Sequence, residues 1–157
     1  MAYEKQAKFS KILVAIDGSN HSMKAAEYAI DIARGNKAQL IALTVLDISK
    51  VGYAASAFIA SPMYGLEKLE RRRKEAHEWL DNVGKLASRK ANDDIQFKPQ
   101  IEESISVAGT IVDFAENQNI DLIVVGSRGQ SSFTKLLLGS VASTVVTHAI
   151  CPVLVVK

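Results

Sequence analysis

Cysteine is all but missing from this chain of 157 residues, and so is any large excess of one charge. Cys151 stands alone, which excludes an intrachain disulfide and a cysteine-built zinc site and fits a reducing compartment. Nineteen Lys+Arg against seventeen Asp+Glu leave +2, too little to suggest nucleic-acid binding by bulk charge and incompatible with an acidic solvating tail. Long apolar runs are also lacking. The longest, Ala149 to Val156, is interrupted by Pro152 and falls far short of the roughly 20 residues that cross a bilayer. The polar start Met1-Ala2-Tyr3-Glu4-Lys5-Gln6-Ala7-Lys8 has no signal-peptide core, so the expectation is a cytoplasmic protein with neither nucleic acid nor membrane as partner.

What is present is the composition of one soluble globular domain spanning 1–157: 48% apolar and 23% charged residues. A chain of this length buries about two thirds of the surface its unfolded form exposes, enough for a core without staples.

Lys11-Ile12-Leu13-Val14-Ala15-Ile16 is a continuous apolar run, the pattern of a strand covered on both faces. Asp17-Gly18-Ser19 breaks it, Ser19 can cap a helix, and Ala25, Ala26, Ala29, Ile30 and Ala33 recur on one helical face until Gly35 is expected to stop it. Leu40 to Leu46 reads as the next strand and Gly65 to about Arg89 as a long helix with Leu66, Leu69, Ala76, Leu80, Val83 and Ala87 on its stripe. The intervening 47–64 segment, with Tyr53, Phe58, Pro62 and Tyr64, is long enough to suggest a lid or partner-contacting loop, a plain connection being the alternative. Ile95 to Ile101 reads as an edge strand because it is polar and carries Pro99. Ser106 can cap a helix buried through Ile111, Phe114 and Ala115; Asp121 to Gly126 is a second buried strand; Ser140 to Ala149 is a helix; Pro152 to Val156 is the last strand. Strands alternating with helices predict an α/β fold, a doubly wound parallel sheet with helices on both faces. Such sheets bind ligands at the carboxyl ends of strands whose connections leave in opposite directions, and the strands ending at Asp17 and Gly126 are the candidates.

Gly126-Ser127-Arg128-Gly129, nine further residues, then Gly139-Ser140 put two glycines at a strand end and a third at a helix start. Glycine lets backbone N–H groups approach a ligand, and a helix N-terminus offers unpaired N–H groups and partial positive charge to an anion. This describes a phosphate cradle, to which Arg128 and Lys135 would add charge and Ser140 a hydroxyl, with Asp17 opposite to accept from ribose hydroxyls. The alternative is that the glycines only shape turns. A Walker motif is excluded because Thr134 stands where its glycine would precede Lys135, and a dinucleotide fingerprint is excluded by the single glycine after the first strand. Residues 122–157 hold Arg128, Lys135 and Lys157 but no Asp or Glu, so this segment carries +3 and the remainder −1, a distribution suited to a polyphosphate.

The Gly-x2-Gly-x9-Gly-Ser spacing, Lys11 to Ser19 and the ending Cys151-Pro152-Val153-Leu154-Val155-Val156 together resemble the universal stress protein family over nearly the whole chain. The resemblance implies a five-stranded sheet ordered 3-2-1-4-5, a homodimer through the last strand (Val153, Leu154, Val155 and Val156), and ATP in members that keep the glycines. It would set Ala15 and Asp17 beside ribose and adenine, Val45 at the adenine edge through its backbone, Gly126 near the ribose, and Arg128, Gly129, Gly139, Ser140 and Val141 around the phosphates. AMP or cyclic AMP is the alternative nucleotide, and Mg2+ would come with the phosphates of ATP. The His-x-Gly-His signature of nucleotidyl transferases is absent. The expected function is therefore a nucleotide-dependent stress-response or signalling module acting through a protein partner. A slow ATPase or phosphotransferase using the same site is the rival, and a nucleotide-free dimerisation module a third reading.

Other residues read as structural. His21, His77 and His148 have no metal-like spacing and suit surface or cap positions, and Ser127, Ser131 and Ser132 suit ordinary loop hydroxyls. Arg71 to Lys74 lies among Glu67, Glu70, Glu75 and Glu78, where i,i+4 pairing would offset it; Trp79 and Cys151 are expected to pack.

Overall fold

The structure is a computed structural model that describes residues 9–49, 62–91, 95–130 and 137–157. Strands and helices alternate: β1 (Lys11–Ala15), α1 (Asn20–Asn36), β2 (Gln39–Asp47), α2 (Pro62–Ala91), β3 (Phe97–Ser104), α3 (Val107–Asn117), β4 (Leu122–Gly126), α4 (Ser140–His148) and β5 (Val153–Val156). All five strands are parallel in one sheet ordered β3-β2-β1-β4-β5, the order implied by the resemblance. Val14 at the centre lies between Ala42 of β2 and Val124 of β4.

The unbroken apolar run of β1 follows from this position, because alternate residues feed two cores. Ile12 and Val14 face α1 and α2, packing with Ala25, Ala29, Ile30, Leu80 and Val83. Leu13 faces the other way, toward Ile111 and Ala115 of α3 and Val145 of α4. The alanine stripe of α1 has little side-chain depth, so this helix can lie close to the sheet; truncating its one large core residue, Ile30, would open a cavity costing about 2–5 kcal/mol.

Several element ends differ from the sequence expectation. Gly35 does not stop α1. The helix runs through it to Asn36, and Lys37, at φ 53°, forms the left-handed cap whose N–H reaches the Ala33 and Arg34 carbonyls. Helix α2 starts at Pro62 rather than Gly65, proline being well suited to a first turn that needs no N–H donor. Strand β3 is displaced toward its carboxyl end, with Glu102, Glu103 and Ser104 paired to Val45, Leu46 and Asp47. An edge strand needs a ladder on one side only, so polarity does not end it, and Pro99 sits inside it opposite Ala42.

The basic run on α2 is more than a solvated face. Arg73 pairs with Glu70 one turn away and its Nε donates to Glu103 of β3 at 2.6 Å, while Arg72 donates to the Asp47 carbonyl at 3.1 Å. These contacts join α2 to the carboxyl ends of β2 and β3. Most of the 47–64 loop, residues 50–61, lies outside the described residues. No helix among the described residues is long and apolar enough to cross a membrane.

Candidate functional site at the sheet switch point

β1 is followed by α1 on one face of the sheet, and β4 leads to α4 on the other. Their carboxyl ends are adjacent in the sheet, so the connections part there and leave a crevice. One wall is the Asp17-Gly18-Ser19 turn. Asp17 Oδ1 accepts from the Ser19 N–H at 3.0 Å and its hydroxyl at 2.6 Å; Ser19 Oγ caps α1 by accepting from Ser22 N–H at 3.2 Å. Ser22, buried, closes the turn by accepting from the Asp17 N–H at 3.3 Å.

The other wall is Ser127 to Gln130. Ser127 N–H donates to the Val156 carbonyl at 2.7 Å, and the Ser127 carbonyl accepts from Gly139 N–H at 2.8 Å, folding the start of α4 under the loop. The two walls meet directly: Gln130 donates from its backbone to Asp17 Oδ2 at 3.2 Å and from its side-chain amide to the Asp17 carbonyl at 2.6 Å.

The three motif glycines do different things. A Cβ on Gly129 would fall 2.7 Å from Asp17 Oδ2, so glycine lets the loop close on the carboxylate. A Cβ on Gly139 would lie 3.2 Å from the Ser127 carbonyl and 3.3 Å from Arg128 Cα, so glycine seats the helix start against the loop. Gly126 faces protein backbone: its Cβ would come within 2.8 Å of the His21 carbonyl carbon, and the glycine admits the first turn of α1.

The start of α4 is electrostatically open. α1 and α3 are capped by the Ser19 and Ser106 side chains, whereas α4, entered at Gly139, has no side-chain cap among the described residues; like the other two it carries no acidic residue in its first turn. The N–H groups of Ser140, Val141 and Ala142 there suit an anion. Ser140 is exposed and Val141 half-buried at this end, and Arg128 is half-buried in the facing loop. Ala15 and Val45, at the ends of β1 and β2, are partly buried against the same core as Val141, with Val107 and Ala108. The nine predicted residues thus lie at the carboxyl ends of β1, β2 and β4 and at the start of α4: Ala15, Val45 and Val141 on one apolar core, Asp17 facing Gly129, Gly139 against Ser127 and Arg128, Gly126 against α1, and Ser140 opening the helix. Ser131, Ser132 and Lys135 lie outside the described residues.

Spacing alone did not show Gln130 as the partner of Asp17, a contact across 113 positions. Trp79 was expected to pack; that it packs on the Gly18 turn is new, and its only sequence signal is its place beside Ala76, Leu80 and Val83 on the inward stripe of α2. A cleft of about 920 Å3 opens elsewhere between α1 and α2, lined by Met23, Glu27, Leu80, Lys85 and Phe97, and none of the predicted residues borders it. His77 and His148 are exposed on helices; His148 Nδ1 lies 2.9 Å from the Thr144 carbonyl. Partial burial pushes the Cys151 thiol above its usual range, which suits packing rather than nucleophilic use.

A parallel sheet with helices on both faces, and with an acidic turn and a glycine-bearing loop facing each other at its switch point, defines a doubly wound α/β domain. The universal stress protein family model matches residues 8–157, and the chain belongs to that family. It is 37% identical over 151 residues to a universal stress protein of Methanocaldococcus jannaschii, covering 95% of this chain and 82% of that one. Among solved structures it resembles universal stress protein UspA from Lactobacillus plantarum, with TM-score 0.85, 31% identity, and 97% and 100% of the two chains covered. The same fold occurs at lower identity in a universal stress protein in complex with cAMP (23%, TM-score 0.68), one from Archaeoglobus fulgidus with dAMP (20%, 0.69) and one from Arabidopsis thaliana with AMP (20%, 0.64); 94–96% of this chain and 91–100% of those chains are covered.

Proposed function

We propose that the chain binds an adenine nucleotide, ATP or its mono- or cyclic relatives, at this crevice and acts as a nucleotide-dependent stress-response or signalling module through a protein partner. The observation that carries the reading is the uncapped start of α4 beneath the Ser127–Gly129 loop, with Asp17 opposite. Phosphate oxygens would complete the first turn of α4 by accepting from the Ser140 and Val141 N–H groups, with Gly129 and Gly139 leaving room and Arg128 adding charge. A ribose hydroxyl would take over from Gln130 as donor to Asp17. Adenine would lie along Ala15 and Val45, with Gly126 near the ribose, and Mg2+ would arrive on the phosphates of ATP. That distant members of the fold are complexes with cAMP, dAMP and AMP supports an adenine ligand.

Mass spectrometry of what co-purifies, followed by calorimetry with ATP, AMP and cyclic AMP, tests the reading. At least one should bind, and Gly139→Val should weaken it tenfold or more by pushing the helix start off the loop. No bound nucleotide and no affinity for any of the three would overturn it. ATP turnover above that of a Gly129→Val control would favour the rival, a slow ATPase or phosphotransferase.

The partner in assembly is proposed to be a second copy through β5, which lies at a sheet edge with Val153, Leu154 and Val155 only partly covered and the exposed Ile150 just before it. Light scattering at micromolar concentration should give twice the chain mass; a monomer would refute this.

A further inference from the structure

Gly18 is the one glycine with positive φ among the described residues, at 79°. A Cβ built on it would fall 2.6 Å from Cζ2 and 2.7 Å from Nε1 of Trp79, so the indole lies directly on its bare Cα. Trp79 is the only tryptophan of the chain. It is half-buried, comes from the inward stripe of α2 and packs on the core beneath α1. Its ring thus braces the middle residue of the Asp17-Gly18-Ser19 turn from the side of the core shared by α1 and α2. That turn sets the direction of the Asp17 carboxylate: with Ser19 holding Oδ1, Oδ2 is left facing Gly129 and Gln130.

We propose that Trp79 is a positioning residue for Asp17: by filling the space against Gly18 it holds the turn in its left-handed form and keeps Oδ2 aimed into the crevice, where it would receive the ribose hydroxyl. The inference rests on the nucleotide reading above for its ligand, and on the turn geometry alone for its mechanism. Glycine at φ 79° has other wells open to it, and the indole atoms are the nearest neighbours on the side where a Cβ would stand. A ring that merely filled the core would affect the whole domain evenly, whereas a positioning ring acts on the turn first.

The test compares the wild type with Trp79→Phe and Trp79→Ala by amide hydrogen exchange and by AMP and ATP calorimetry. In Trp79→Ala the Ser19 and Gln130 amides, both bonded to the Asp17 carboxylate, should exchange at least tenfold faster while Ile123 in β4 is unchanged. Affinity should fall about tenfold, Trp79→Phe should recover most of it, and Trp79→Ala should add little once Asp17→Asn is present. Equal acceleration at all three amides, or the same affinity loss with and without Asp17→Asn, would overturn the inference in favour of simple packing. Should wild type bind no adenine nucleotide, the functional reading falls and the exchange arm still decides whether Trp79 holds the turn. Should Trp79→Ala not fold, Trp79→Leu, which keeps apolar volume without the ring, supports the same comparison.

Discussion

Thr44 of β2 is 2% exposed, and its Oγ1 has no hydrogen-bond partner among the described residues. A sealed, unpaired hydroxyl carries its desolvation penalty without return, so Thr44→Val should raise stability by about 1 kcal/mol in urea unfolding. A loss would mean that the hydroxyl is satisfied after all. Two glycines make a sharper pair. Gly35 lies inside α1 with nothing within 4 Å of a new Cβ, and Gly35→Ala should stabilise by about 0.5–1 kcal/mol. Gly126→Ala drives a Cβ into the His21 backbone and should destabilise by roughly 1–3 kcal/mol, read in the same denaturant titration. The sequence could not separate these roles, because a glycine that leaves room for a ligand and one that leaves room for a helix look alike until the neighbour is seen. The same holds for Gln130 and Trp79. Asp17, Gly129 and Gly139 were legible because motif spacing ties them to strand and helix ends, which local patterns do reveal.

Among the elements, β1 and β4 are the most readable, since burial on both faces leaves an apolar run with no alternation. β3 is the least, because one free edge relaxes the demand on composition; its register is set by β2 rather than by its own residues. Helix starts were legible where serine caps them. Ser19 both caps α1 and holds Asp17, so Ser19→Ala should cost about 1–2 kcal/mol in thermal unfolding and also weaken the proposed nucleotide binding. The tie between α2 and β3 is sensitive to pH. The hydrogen bond from Arg73 holds the Glu103 carboxyl below its usual 4.5, so the contribution is full above that value and fades as pH falls through the lower folded value. Glu103→Gln should therefore flatten the acid limb of the stability profile, only slightly, because both side chains are exposed.

For the whole molecule, the family and the strand order followed from motifs spread over the chain, whereas the choice of any ligand or partner depends on surfaces that share no period with the core. The two borders of the sheet are chemically unlike. β3 presents Lys98, Pro99, Glu102 and Glu103, whereas β5 is a short apolar strand, Val153–Val156. A body with a single adhesive border cannot polymerise through its sheet: once two such borders join, only the proline-bearing, charged ones remain outside. In the homodimer proposed above, Pro99, the residue that set β3 apart as an edge strand, would help limit the assembly to a closed pair rather than an open ribbon.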